Sequence, residues 1–236
     1  MSNESAASVK EQVRKDWAEG ARAWGKWRRE LTSQSKEATD VLIEAAQLRP
    51  GMRVLDIASG TGEPALSIAT ALGAKGEVVA TDLTTEMLAV AEADAHERRL
   101  KNVRFQQADA EALPFPDESF DRVTCRFGIM FCPRPGQALR EMRRVLKPGG
   151  RVALVTWGPP DKNPFFATAM GPFMKRLPMP PPDPDAPSPF RFAQPAGTSV
   201  VVDQSRRKER DMSNITLLAL RSAARKVNED VVACRD

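Results

Sequence analysis

The sequence predicts a doubly wound α/β fold, a mainly parallel sheet with helices on both faces, and three observations carry that expectation. From Met52 onward short β-branched runs alternate with helix-length segments, the pattern of strands joined by crossover helices. In the first run Val54, Leu55 and Ile57 are apolar at near-consecutive positions, as a strand covered on both faces requires. That run leads straight into a turn containing Gly60 and Gly62, the kind of loop that brings backbone N–H groups and a helix N-terminus up to an anionic ligand.

The elements follow in order. A strand is expected over 53–58 and a helix over 63–72, with Pro64 in the first turn, where a missing N–H is tolerated. The second strand, 77–81, precedes a helix over 84–100 with Thr84 as N-cap and Glu86 in its first turn. Strands at 103–107 and 122–125 are followed by a helix over 135–146 opened by Pro135. Lys147-Pro148-Gly149-Gly150 reads as a turn before the last strand of the pattern, 151–157. Ahead of all these, 9–30 carries Trp17, Trp24 and Trp27, whose i, i+7, i+10 spacing puts three rings on one helical face for packing onto the domain.

Composition excludes whole chemistries. The 236 residues include no tyrosine, one histidine (His96) and three cysteines. A tyrosine base, a metal centre with two imidazoles, and a Ser-His-Asp triad anywhere except around His96 are therefore ruled out. Cys125, Cys132 and Cys234 have no C-x-x-C spacing and are odd in number, so neither a metal ribbon nor a closed disulfide framework is expected, no metal ligands are assigned, and a reducing, cytoplasmic setting fits. The first eight residues lack a basic, apolar leader pattern, and no apolar run approaches the roughly 18 residues of a membrane span. The net charge is +4, yet 51–150 carries 13 basic against 14 acidic residues, so there is no basic face for nucleic acid. The run Arg206, Arg207, Lys208, Arg210 is broken by Glu209 and reads as solvated surface.

Proline divides the chain. Twelve of the 19 prolines lie within 159–195, which excludes a helix interior or a central strand there and implies an extended connection. The expected organisation is an N-terminal helical cover over 1–50, a ligand-binding core over 51–158, a Pro-rich connection over 159–196 and an atypical tail over 197–236.

The loop VLDIASGTGEPAL, 54–66, taken alone satisfies the G-x-G-x-x-A fingerprint of nicotinamide enzymes through Gly60, Gly62 and Ala65. Two acids narrow the ligand. Asp82 closes the second strand twenty residues after Gly62, where a carboxylate can accept from both hydroxyls of a ribose. Asp56 lies inside the end of the first strand, and an acid there is unfavourable beside a pyrophosphate but suits a cation. The ligand implied is an adenosine attached to a positively charged group.

With VVATDLTTEML (78–88), QADAEALPFPDESFDRVTCRFGIMF (107–131) and LREMRRVLKPGGRVALVTWG (139–158) in register behind that loop, the chain resembles class I S-adenosylmethionine-dependent methyltransferases. Within them it is similar to the branch of ubiquinone/menaquinone-biosynthesis C-methyltransferases, over roughly 9–193. The resemblance implies a Rossmann-like fold, S-adenosylmethionine as cofactor and transfer of its methyl group to a small-molecule acceptor. It implies that Gly60, Thr61 and Gly62 line the methionine part of the cofactor with Asp56 toward its ammonium. Asp82 would hold the ribose hydroxyls, Met87 would pack near the adenine, Asp109 would accept from the exocyclic amine and Ala110 would supply a backbone contact. Arg126 would line the cofactor near the transferred methyl, and the N-terminal helix would cover the pocket. Two positions depart from the pattern: Ala58 stands where the family's loop has its first glycine, a change small enough to be tolerated, and Arg126 replaces a small residue of the quinone-modifying members, which counts against a quinone precursor.

Other residues read as structure. Phe127, Met130 and Phe131 are expected in core or pocket wall, Cys125 as a buried small hydrophobe, and Cys132 as an unactivated thiol. His96, among Asp94, Glu97, Arg98 and Arg99, is expected to face solvent, so a base, where the acceptor needs one, would have to be a carboxylate, a lysine, a cysteine or water, and no residue is singled out. From Gly197 the resemblance stops. A strand at 199–202 and a helix-like 215–227 lack any aromatic anchor, and the expectation is an altered chain end with an incomplete sheet edge. A cofactor-binding module whose altered end has cost it activity, and a nicotinamide-dependent oxidoreductase, are the competing readings. The absence of tyrosine disfavours the tyrosine-dependent dehydrogenase route.

Overall fold

Consecutive side chains of the first strand point to opposite faces, and both faces are apolar. In the computed structural model, which describes residues 3–158, 186–192, 199–203 and 219–220, this strand is β1 (Arg53–Ile57). On one face Val54 packs with Ala65, Ile68, Ala69 and Leu72 of α4 (Ala65–Leu72). On the other, Leu55 and Ile57 pack with Ala138, Met142 and Val145 of α6 (Pro135–Val145). Leu55, Ile68, Met142 and the strand residue Phe120 are fully buried, and each such side chain contributes about 1.5–3 kcal/mol by leaving water.

Around β1 the sheet grows in both directions. β2 (Glu77–Asp82), α5 (Thr85–Glu97) and β3 (Val103–Gln107) extend it on one side, and β4 (Phe120–Arg126) and β5 (Leu146–Trp157) on the other. The order β3-β2-β1-β4-β5 is parallel throughout. The chain therefore reverses its direction of growth between β1 and β4, and such sheets bind ligands beyond the carboxyl ends of the strands at that reversal. Three helices precede β1: α1 (Asn3–Lys26), α2 (Arg28–Gln34) and α3 (Lys36–Ala46). Ala38, Leu42 and Ala46 of α3 pack on Ala153 and Val155 of β5. The α2 residue Arg28 pairs with Glu97 of α5 at 2.7 Å.

The expected α/β fold and its five parallel strands are present, with element ends within three residues of expectation except at the start of β5. Two expectations change, and a third gains a strand. The turn expected at 147–150 is absorbed into β5: Phe120 pairs with Leu146 and Arg122 with Arg151, so 147–150 bulge out of the ladder, with Gly149 at φ +74°. At the sheet edge expected to be incomplete, β6 (Ser199–Asp203) pairs antiparallel with β5 and includes the strand expected at 199–202. Within the helix-like 215–227, β7 (Ala219–Leu220) instead pairs parallel with Thr156 and Trp157 at the end of β5, where the ladder offers backbone partners. The remainder of the Pro-rich connection and of the tail lies outside the described residues.

Candidate functional site

A cavity of about 840 Å³ opens at the carboxyl ends of the strands. Its floor comes from the residues that end or follow each strand: Ala58 to Thr61 at β1, Asp82 to Thr84 at β2, Ala108 to Glu111 at β3, Arg126 to Gly128 at β4, and Trp157 of β5. Its roof comes from Lys10, Trp17, Trp24 and Glu37 of the N-terminal helices and from Trp27 and Ser35 at the junctions between them. Of the nine residues expected to bind the cofactor, Gly60, Thr61, Asp82, Met87, Asp109, Ala110 and Arg126 line this wall. Asp56 and Gly62 lie beneath it; a Cβ on Gly62, at φ +116°, would come within 2.8 Å of Leu66.

Asp82 knits the floor together. Its Oδ2 accepts from Gly60 N–H at 2.9 Å, and its Oδ1 from Thr84 N–H at 2.9 Å and Thr84 Oγ at 2.7 Å. Thr84 does occupy the N-cap position of α5, but its hydroxyl serves Asp82 instead of the helix, which a reading of the N-cap alone does not foresee. Burial pushes the Asp82 carboxyl up, against the donors from Thr84, Gly60 and Leu83.

Asp56 is fully buried. Its Oδ1 accepts from Thr124 Oγ1 at 2.6 Å, whereas Oδ2 has no partner. Burial pushes its pKa up to about 7, opposed by the Thr124 and Ser59 hydroxyls and by the charge of Arg126. An acid in this state is an unsatisfied acceptor.

The backbone around Asp56 is equally specific. Ala58 adopts φ +55°, the left-handed region that costs a Cβ-bearing residue about 1 kcal/mol. Its methyl fits because Gly128 faces it; a Cβ on Gly128 would collide with the Ala58 Cβ and come within 2.9 Å of Cys125 Sγ. The departure at Ala58 is thus accommodated by a glycine seventy residues away in the sequence.

Asp109 is held in a way the sequence did not announce. Lys10 of α1 donates to Asp109 Oδ2 and to Glu111 Oε2, both at 2.6 Å. Glu111 also accepts from Arg134 N–H at 2.6 Å and Arg134 Nε at 3.0 Å. Burial works against its charge, but the Lys10 ammonium and the Arg134 donors hold Glu111 below the usual carboxylate range. Lys10 has no local signal in the sequence; Glu111 lies in a recognised motif, and its burial is visible only in three dimensions.

Arg126 reaches across the ends of β4 and β1 to the α2–α3 junction. Nη1 donates to Ser35 Oγ at 2.8 Å and Thr39 Oγ1 at 2.7 Å, and Nη2 to the Glu63 carbonyl at 3.1 Å. Ser35 and Thr39 were not foreseen, because the N-terminal helices carry no site motif.

The remaining expectations are placed simply. Met130 and Cys125 are buried, Phe127 and Phe131 are wall, and His96 is exposed. Burial pushes the Cys132 thiol up to about 12 and Cys125 higher, so neither is an activated thiolate. Trp17 packs edge-on against Phe131 with ring centroids 5.3 Å apart and lies 5.5 Å from Trp24. Trp27 falls in the break between α1 and α2, so Trp24 and Trp27 stand at the rim, 38% and 52% exposed, where packing onto the domain had been expected. Among the described residues no helix is long and apolar enough to cross a membrane.

Two outcomes test this geometry. Gly128→Ala is expected to lose about 1–3 kcal/mol in denaturant unfolding, and Ala58→Gly in the same chain to restore most of it; additive effects would contradict the contact. Because the folded-state pKa of Asp56 lies above its ordinary 3.8, the unfolded chain binds fewer protons between those values. Its ionisation therefore lowers stability as pH rises from about 3.8 to about 7, with the full penalty above that. Asp56→Asn should flatten this part of the stability profile and melt higher than wild type at pH 8; an unchanged profile would show that Asp56 is ionised at no cost in the folded protein.

The same order of motifs is found in known proteins. A model of the ubiE/COQ5 methyltransferase family matches residues 32–180. The chain is similar to the "Ubiquinone/menaquinone biosynthesis C-methyltransferase UbiE" of Ectopseudomonas mendocina (strain ymp), 47% identical over 126 residues, which are 53% of this chain and 49% of that protein. It is also similar to the protein of that name from Azotobacter vinelandii, 47% identical over 120 residues, 50% of this chain and 47% of the relative. The chain spans about half the length of the curated relatives it matches. Among solved structures it is similar to a SAM dependent methyltransferase from Aquifex aeolicus, at 25% identity and TM-score 0.50, over 66% of this chain and 78% of that one. With the β3-β2-β1-β4-β5 sheet, the cavity at its carboxyl ends and a family model covering well over half of the sequence, the chain belongs to the ubiE/COQ5 methyltransferase family.

Proposed function

We propose that the protein transfers a methyl group from S-adenosylmethionine to a small-molecule acceptor held under the N-terminal helices. The observation that carries this reading is the unpartnered, buried Asp56 Oδ2 beneath a loop whose Gly60 N–H is fixed by Asp82. An adenosine bearing a cationic amino-acid group fits that pairing; a pyrophosphate does not.

In this reading the free lone pairs of Asp82 take the ribose hydroxyls, Met87 and Ala110 border the adenine, and Asp109, oriented by Lys10, accepts from its amine. Gly60, Thr61 and Gly62 shape the methionine end, Asp56 holds its ammonium and Arg126 borders that end. The bound cofactor supplies a methyl carbon already activated by positive sulfur, so the protein's work is to align the acceptor and keep water out. The rings of Trp17, Phe131, Phe127 and Trp157, the last two stacked at 3.9 Å, exclude water from the acceptor side. Among the described residues Glu37 is the cavity-lining carboxylate with no hydrogen bond or ion pair, and so the carboxylate free to accept a proton where the acceptor must lose one.

S-adenosylhomocysteine titrated into the full chain tests the reading. Binding is expected with release of a proton at pH 6, because an ammonium beside Asp56 favours its ionised form, and with no such release at pH 8, where Asp56 is already ionised. Calorimetry in buffers of different ionisation enthalpy reads this directly. No binding of S-adenosylhomocysteine would remove the proposed function, and binding with the same proton balance at both pH values would remove Asp56 from it.

A further inference from the structure

A guanidinium carries five N–H donors in a plane, and its Nε and one Nη form the side-on fork that grips a carboxylate through two parallel hydrogen bonds. Arg126 spends its Nη1 donors on Ser35 and Thr39 and one Nη2 donor on the Glu63 carbonyl. Its Nε is buried with no partner, and a second Nη2 hydrogen is uncommitted, which leaves the side-on edge unfilled. The carboxylates nearby do not fill it. Glu63 is engaged by Arg98 at 2.8 Å. Asp56 feels the charge of Arg126, yet no ion pair to Arg126 occurs within 4 Å among the described residues, and Asp56 Oδ2 is itself unpartnered. A cation taken out of water without a paired anion is costly, and here burial pushes the guanidinium pKa down. The three oxygens on its other edge fix the plane of the group on the cavity wall, as a preorganised receptor requires.

We propose that the unfilled edge of Arg126, set in place by Ser35, Thr39 and the Glu63 carbonyl, is a carboxylate-binding site of the cavity. Two molecules can bring that carboxylate: the cofactor, whose amino-acid end would then lie between Arg126 and Asp56 as a zwitterion, or the acceptor. The cofactor case rests on the proposed function; the acceptor case defines the acceptor as an anion.

The test uses calorimetry on the full chain, on Arg126→Met and on Arg126→Lys, with melting temperatures alongside. S-adenosylhomocysteine is compared with its decarboxylated analogue, and benzoate with benzamide in protein saturated with S-adenosylhomocysteine. If the cofactor brings the carboxylate, wild type binds S-adenosylhomocysteine about 10- to 100-fold tighter than the analogue, the range for a charged hydrogen-bonded pair. Arg126→Met then abolishes that preference and leaves the analogue's affinity within about twofold. If the acceptor brings it, the two nucleosides bind alike, and benzoate outbinds benzamide about tenfold or more in wild type only. Arg126→Lys, which keeps the charge and loses the fork, should lower the same preference and serves as the readout if Arg126→Met does not fold. Absence of both preferences in wild type, or equal weakening of every ligand with a lowered melting temperature in the variants, overturns the proposal and makes Arg126 a structural tie. If neither S-adenosylhomocysteine nor 5′-methylthioadenosine binds wild type, the cofactor reading fails on its own, and benzoate against benzamide in the unliganded protein decides the carboxylate site.

Discussion

The carboxylate of Asp82 holds donors from two loops that the sheet topology brings side by side. β1 and β2 are parallel neighbours in register, with Ile57 opposite Thr81, so the turn after β1 and the turn after β2 leave the sheet together. Without a shared acceptor the Gly60 N–H and the Thr84 N–H and hydroxyl would each need another partner, and Asp82 supplies one for all three. This arrangement settles where the glycine loop can go. The loop in turn leaves Asp56 buried below it with one oxygen free, and the cavity wall takes its shape from both.

Charge is distributed around this floor so that each buried ion has a different degree of satisfaction. Glu111 is saturated by Lys10 and Arg134 and ties α1 to the loop after β3. Asp82 is filled from the protein side and open on the cavity side. Asp56 and Arg126 each retain an unmet hydrogen-bonding atom. Burial of a fully hydrogen-bonded group costs the fold little, whereas a buried polar atom without a partner lowers its stability. The roof follows the same division: Trp17 is anchored on Phe131, while Trp24 and Trp27 stand at the rim.

The sheet was legible because its information is local. Val54, Leu55 and Ile57 declare a two-sided strand, and Pro64, Pro135 and Gly60 mark turns whose chemistry does not depend on distant residues. The wall residues after β1, β2 and β3 were legible because motif order places them at strand ends. What stayed hidden depends on contacts between segments far apart in the chain. Lys10 reaches residues about a hundred positions later, Ser35 and Thr39 meet Arg126 ninety positions away, and Ala58 is tolerated only because residue 128 lacks a side chain. The turn at 147–150 was misplaced for a related reason: the glycines are compatible with a turn or a bulge, and the pairing of Phe120 with Leu146 decides between them. The helix-like pattern over 215–227 yields at Ala219–Leu220 to the backbone of β5.

Asp82 is the acceptor on which the glycine loop is built, and in the proposed function it is also the one that takes the ribose hydroxyls. The direct measurement is the affinity of S-adenosylhomocysteine for Asp82→Ala and Asp82→Asn, set beside that of adenine alone. Asp82→Ala is expected to lose about 1.5–3 kcal/mol in S-adenosylhomocysteine binding and Asp82→Asn less, with adenine binding little changed. Full-strength binding of S-adenosylhomocysteine to Asp82→Ala in a folded protein would contradict that role.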